Sequence, residues 1–156
     1  MTTERTRAAD ALTDLIIDVL RLNGLLVTAG DRMVAGLGLT STRWQVLRAI
    51  YESERAQPVA WLARDMGGNR QNVQRIVNDL QKMGLVTLEV NPHHRRASLV
   101  VLTDKGRRTY DEAGRLQAPW ANRLSEDLAI KDIDTTRRVV AELRKKLELN
   151  GERPST

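Results

Sequence analysis

Within Arg70-Gln71-Asn72-Val73-Gln74-Arg75 three carboxamides stand between two guanidiniums, with Asn69 before them and Asn78 after. Side-chain amides donate to and accept from an adenine edge, and a guanidinium reaches guanine or a phosphate. Asp79 is the first carboxylate after Asp65, so residues 66–78 offer a phosphate no repulsion. A second cluster, His93-His94-Arg95-Arg96, follows Asn91-Pro92, a dipeptide that marks a turn. A polar helix face alone would be an ordinary solvated surface. Joined to a basic turn, it points to recognition of a polyanion. Arg95 and Arg96 at such a turn can extend into a narrow, A·T-rich minor groove, although one of them could instead brace the turn against the preceding helix.

Other chemistries lack their residues. Cysteine is absent, which removes disulfide frameworks, thiolate zinc sites and thiol nucleophiles. His93 and His94 are the only histidines, and neighbours on an extended hairpin project to opposite sides, so no metal site is expected. No serine carries an activating signature, and neither a phosphate-binding glycine loop nor a dinucleotide fingerprint occurs. The chain therefore reads as a non-enzyme without a cofactor. Its aromatics are 3 Trp and 2 Tyr, too few for a single-strand binder that stacks bases on several rings, which leaves duplex as the expected nucleic acid. The segment through Asp10 is polar, and apolar runs are far shorter than a span of about 20 residues, so a soluble cytoplasmic protein without membrane contact is expected.

At 156 residues one domain of ordinary size is expected. From Ala8 to about Val34, Leu12, Leu15, Ile16, Val19, Leu22 and Leu26 recur at helical spacing, weakened at Gly24 and Gly30. Thr40 is a candidate N-cap for a second helix carrying Trp44, Val46, Leu47 and Ile50. Pro58 suits the first turn of a short third helix, ended by Gly67-Gly68. Asn69 can cap a fourth, in which Val73, Ile76, Val77 and Leu80 form an inward stripe. Gly84 stops it. Val86, Leu88 and Val90 then alternate with polar residues as a strand, and Ser98–Leu102 completes a hairpin whose tip is the second basic cluster. Thr103 caps a further helical stretch to Leu149, with interruptions expected at Ala118-Pro119 and near Ile130–Asp134; Ile133, Val139, Val140, Leu143 and Leu147 form its last apolar face. A polar tail, 151–156, is expected to fray.

Two helices joined by a glycine turn, then a hairpin with a basic tip, describe a helix-turn-helix with a wing. The charge agrees. The net +5 resides entirely in residues 59–108, between two electroneutral flanks.

The stretch Leu39–Arg108 resembles the MarR family of bacterial transcription regulators. The resemblance is carried by Leu39-Thr40 with Trp44 and Leu47, Leu62-Ala63 with Met66-Gly67, Val73, Arg75 and Leu80, then Gly84-Leu85-Val86, Pro92, Arg95-Arg96-Ala97 and Leu102-Thr103-Asp104-Lys105-Gly106. It implies a mainly α fold with a small β-hairpin wing, organised as an N-terminal dimerisation helix (1–38), a winged helix-turn-helix (39–108) and C-terminal dimerisation helices (109–150). It also implies a homodimer that places residues 69–82 in a major groove and 91–97 in a minor groove of double-stranded DNA. Two-fold symmetry predicts a pseudo-palindromic site with half-sites roughly 10 base pairs apart. The apolar faces at Leu12–Leu26 and Val139–Leu147 support a dimer independently, because a small winged module covers only part of them.

The expected DNA-reading set is Asn69, Arg70, Gln71, Asn72, Gln74, Arg75, Asn78, His93, His94, Arg95 and Arg96. The family implies a repressor released by a small aromatic or anionic effector; by position Arg32, Met33, Leu39, Arg43 and Trp44 are its candidate contacts. Asn91 and His94 stand where the family usually has aspartate, and Trp61 where it has a polar residue. The two replacements leave a more basic wing, and DNA binding is expected to depend more on pH because of His94. Trp61 is expected to fill a local packing gap, with partial exposure as the alternative. The rival reading is a winged helix used for protein contact without reading DNA.

Overall fold

The computed structural model describes residues 4–151. Thr6 opens the first helix, α1 (Arg7–Val34), its hydroxyl accepting from the Ala9 amide at 3.1 Å. Gly24 and Gly30 do not interrupt it. Gly30 instead marks the close approach to α2 (Ser41–Glu52), where a Cβ would lie 2.0 Å from Ser41 Oγ. Ser41 locks this crossing: its hydroxyl donates to the Val27 carbonyl at 3.0 Å and its amide to Asp31 Oδ1 at 2.6 Å. Thr40 caps α2 as expected, accepting from the Arg43 amide at 3.2 Å.

Next come β1 (Gln57–Pro58), α3 (Val59–Asp65), α4 (Arg70–Lys82), β2 (Val86–Glu89), β3 (Leu99–Leu102), α5 (Asp104–Leu124) and α6 (Ile130–Gly151). The wing is a three-stranded antiparallel sheet of order β1-β3-β2, not a lone hairpin, with Gln57 opposite Val100 and Val86 opposite Leu102. Pro58 is the N-cap of α3 and the last residue of β1. Two residues carry no periodicity, so only pairing with β3 reveals β1. Of the expected alternating set, Val86 is buried, Leu88 is 37% exposed and Val90, outside β2, is 79% exposed. Burial stops where the hairpin leaves the core.

That core joins α2, α3, α4 and the sheet through Val46, Leu47, Leu62, Val77, Leu80 and Val100, with Val34 and Ala113 from the flanking helices and Leu39 from the link between α1 and α2. Tyr51 stacks on Tyr110 with ring centroids 4.4 Å apart, and burial there raises the Tyr110 phenol above its ordinary range.

The expected interruption at Ala118-Pro119 does not occur: α5 runs through Pro119. Proline's fixed φ is helical, so the cost is one lost backbone bond and crowding of the Arg115 carbonyl, and the turns on either side carry the helix across. The break falls at 125–129, where Asp127 adopts φ +65°, and α6 starts at Ile130, within the stretch expected to be interrupted. The chain forms two compact units, divided between Ala118 and Pro119. In the first, Ile16, Leu20, Leu22 and Leu25 of α1 are exposed; in the second, Val139, Val140 and Leu147 of α6. Of the tail expected to fray, Gly151 ends α6 and 152–156 lie outside the described residues. No described helix is long and apolar enough to cross a membrane.

Candidate nucleic-acid interface

The glycine turn sets the geometry between α3 and α4. Gly67 takes φ +63°, and the Gly68 amide donates to the Ala63 carbonyl at 2.8 Å, ending α3. Asn69 then caps α4: its Oδ1 accepts from the amides of Gln71 at 2.8 Å and Asn72 at 3.4 Å. Half of the Asn69 carboxamide is thus committed to the helix. Val73, Ile76, Val77 and Leu80 are all buried, as the stripe predicts, so the opposite face of α4 must point outward.

That face gathers Arg70, Gln71, Gln74, Arg75 and Asn78 around a shallow depression of about 510 Å³. Gln74 Nε2 donates to Asn78 Oδ1 at 2.9 Å, which orients both amides and leaves the Gln74 Oε1 acceptor and the Asn78 Nδ2 donors uncommitted by that bond. Asn72 is exposed but does not line the depression, because each helical residue turns about 100°. It lies on the flank with Asp79. The carboxylate of Asp79 is taken up by Arg43 of α2, Nη2 to Oδ2 3.1 Å, both side chains about one-third exposed. The acid on α4 is therefore neutralised from behind.

The wing is held at its base and free at its tip. Thr103 Oγ1 donates to the Gly84 carbonyl at 2.7 Å and accepts from the Gly106 amide at 3.0 Å, capping α5; Lys105 Nζ donates to the Met83 carbonyl at 2.8 Å. These bonds pin the start of α5 to the end of α4, so helix and hairpin keep a fixed relation. At the tip Asn91 is buried, its Oδ1 accepting from the His93 amide at 3.0 Å in an Asx turn. His93, His94, Arg95 and Arg96 are exposed. Neither arginine makes a side-chain hydrogen bond or ion pair among the described residues, so the bracing role left open above is not what the structure shows.

Between α3 and the wing lies a larger groove of about 920 Å³, whose lining includes Arg55, Pro58, Trp61, Arg70, Asn91, His93 and His94. Trp61 does not fill a packing gap: it is 55% exposed, with the Arg64 guanidinium 5.8 Å from its ring centroid. Its neighbours Val59, Leu62 and Ala63 already cover the core side of α3. Sequence reading missed this groove because Trp61, Arg70 and His93 meet only through the tertiary fold. The signal available was Trp61 itself, an apolar residue off the buried stripe.

The five effector candidates are less clearly gathered. Leu39 is in the core, Met33 and Trp44 pack on it, Arg43 holds Asp79, and Arg32 is exposed in the last turn of α1. None of them lines the depression on α4 or the groove beside the wing.

Comparison with known proteins agrees with this architecture. The model of the MarR family matches residues 37–97. An uncharacterised protein of Mycobacterium tuberculosis is 39% identical over 129 residues, covering 83% of this chain and 89% of its own. The transcriptional activatory protein BadR of Rhodopseudomonas palustris is 28% identical over 137 residues, covering 83% and 78%. Among solved structures, the transcriptional repressor CouR bound to a 23-mer DNA duplex has TM-score 0.75 at 23% identity, covering 90% of this chain and 99% of that one. CouR from Rhodococcus jostii RHA1 bound to p-coumaroyl-CoA has TM-score 0.70 at 22% identity, covering 80% and 87%. With its capped outward helix, its wing pinned to that helix and these matches, the chain belongs to the MarR family of winged-helix, DNA-binding transcription regulators.

Proposed function

We propose that this regulator acts in the cytoplasm as a homodimer that reads a pseudo-palindromic duplex site, and that it represses by occupying that site. The observation that carries the reading is the outward face of α4. Arg70, Gln71, Gln74, Arg75 and Asn78 share one acid-free surface on a helix that the core and Asp79–Arg43 hold rigid. Gln71 and Gln74 are the proposed base readers, with Asn72 and Asn78 at their edges and the outer half of Asn69 at the helix start. Arg70 and Arg75 reach guanine or phosphate. His93, His94, Arg95 and Arg96 are the minor-groove and phosphate contacts.

Residues 39–108 are the proposed DNA-binding region, with 1–38 and 109–150 as dimerisation segments. Leu20 of α1 at 67% exposure and Leu147 of α6 at 72% are apolar surface that a second copy would cover. For release we propose a small aromatic or anionic effector, by analogy with CouR and its p-coumaroyl-CoA. A carboxylate drawn to Arg43 would compete with Asp79 and loosen the mount of α4, with Arg32, Met33, Leu39 and Trp44 as the surrounding contacts. A panel of aromatic acids tests this by release of duplex and by a rise in melting temperature; no response to any of them removes the effector arm.

Selection of bound sequences from random duplex tests the main reading. A two-fold symmetric consensus with half-sites roughly 10 base pairs apart is expected. An asymmetric consensus, or none, sinks it, and binding that ignores salt between about 50 and 200 mM would point to the protein-contact reading instead.

A further inference from the structure

We infer that the groove between α3 and the wing seats the sugar-phosphate strand that separates the two duplex grooves, with Trp61 packed on a deoxyribose and Arg55 and Arg70 on flanking phosphates. The inference rests on the duplex-reading proposal above and adds a path for the backbone. A duplex that takes α4 in its major groove and the wing in the adjacent minor groove must carry one backbone strand across whatever lies between them. Here that surface is this groove: Arg70 lines both it and the outer face of α4, while Asn91 and His93 line its wing side.

The lining suits the strand chemically. Pro58 and Trp61 offer apolar surface to a sugar, Arg55 and Arg70 offer charge to phosphates, and Glu54 is the single carboxylate on the groove wall. An indole that leaves 55% of its surface in water, on a short helix whose core side is already covered by Val59, Leu62 and Ala63, contributes little to the core. Its Nε1–H is a donor without an acceptor role, matched to a phosphate oxygen. Arg64 beside the ring adds positive charge on the same side of α3. Contacts to the backbone position a protein without reading sequence, so the groove should set affinity and leave specificity to α4.

The experiment is an anisotropy titration of the full chain with the selected duplex and with a random duplex of equal length, at several salt concentrations. Trp61→Ala is expected to weaken both duplexes by the same factor, roughly tenfold, without changing the salt slope, since the side chain is neutral. Arg55→Ala is expected to weaken both and to lower the slope by about one. In the parent, the acrylamide-accessible emission that Trp61→Phe removes should be protected when duplex is added; this readout stands even where the alanine variant folds poorly.

If the parent binds but both variants match it in affinity and slope, the strand does not cross the groove, and the duplex reading survives alone. A loss confined to the selected duplex makes Trp61 part of base reading and overturns the backbone assignment. So does protection of Trp61 by benzoate and not by duplex, which would make the groove a small-anion site. A parent that binds no duplex overturns both readings together.

Discussion

A methyl group at Gly106 would lie 2.0 Å from the Leu85 carbonyl oxygen and 2.9 Å from its carbon, with the Leu102 side chain at 3.2 Å; the carbonyl is backbone and cannot swing aside. The residue is therefore a packing necessity of the joint that holds the wing, in a helix turn where its backbone angles ask for nothing special. Gly106→Ala is expected to destabilise by about 3 kcal/mol, read as a fall in melting temperature, and to weaken DNA binding as the wing shifts. Arg43 and Asp79 make the opposite case, in which stability is a minor effect. The pair is one-third exposed, so its loss should cost less than about 1 kcal/mol. Its electrostatic role is larger. Arg43→Ala leaves a free carboxylate on the flank of α4 and should weaken binding to any duplex by roughly three- to tenfold. The double variant with Asp79→Ala should recover most of that loss; failure to recover would show that Arg43 acts by itself.

At the scale of elements, the proposed reading has α4 and the wing divide the work that a duplex demands. The helix carries amides fixed by its own geometry, the Gln74–Asn78 bond among them, while the wing carries charge at a tip whose arginines have no side-chain partner among the described residues. Arg95→Ala and Arg96→Ala should each weaken selected and random duplex alike and lower the salt slope by about one. Gln71→Ala should instead relax preference at one base position, at a cost of about 1–3 kcal/mol on the selected duplex. Repeating the selection with each variant separates these outcomes. The elements themselves were readable to different depths. The stripe of Val73, Ile76, Val77 and Leu80 marks α4 because burial repeats with the helix period, and Thr40, Asn69 and Thr103 announce helix starts through their side-chain oxygens. Two-residue β1 has no period to read, and Pro119 signals a local cost that neighbouring turns outweigh.

For the whole molecule, the exposed leucines support the proposed dimer. Leu20, Leu22 and Leu25 on α1, and Leu147 on α6, are the kind of apolar surface that a stable monomer does not leave in water. Sedimentation should give twice the 17.6-kDa chain mass. Leu20→Arg should shift it toward monomer and abolish two-fold site recognition while leaving the first compact unit folded. A parent that sediments as a monomer at micromolar concentration would remove the dimer from the proposal. In the proposed assembly the charge distribution acquires a meaning: neutral flanks for association, and the +5 excess in the part proposed to meet DNA.

By itself the sequence determined what local rules govern: helix periods, caps, the glycine turn at Gly67, the basic tip and the acid-free run 66–78. These depend on residues a few positions apart, where backbone geometry leaves few alternatives. Only the tertiary structure decided the rest. Asp79 meets Arg43 across 36 positions, Gly106 meets Leu85, β1 finds β3, and Trp61 faces a groove shared with Arg70 and the wing. Each is a contact between distant segments, and closing the loop between them is a property of the packed core that no local pattern records.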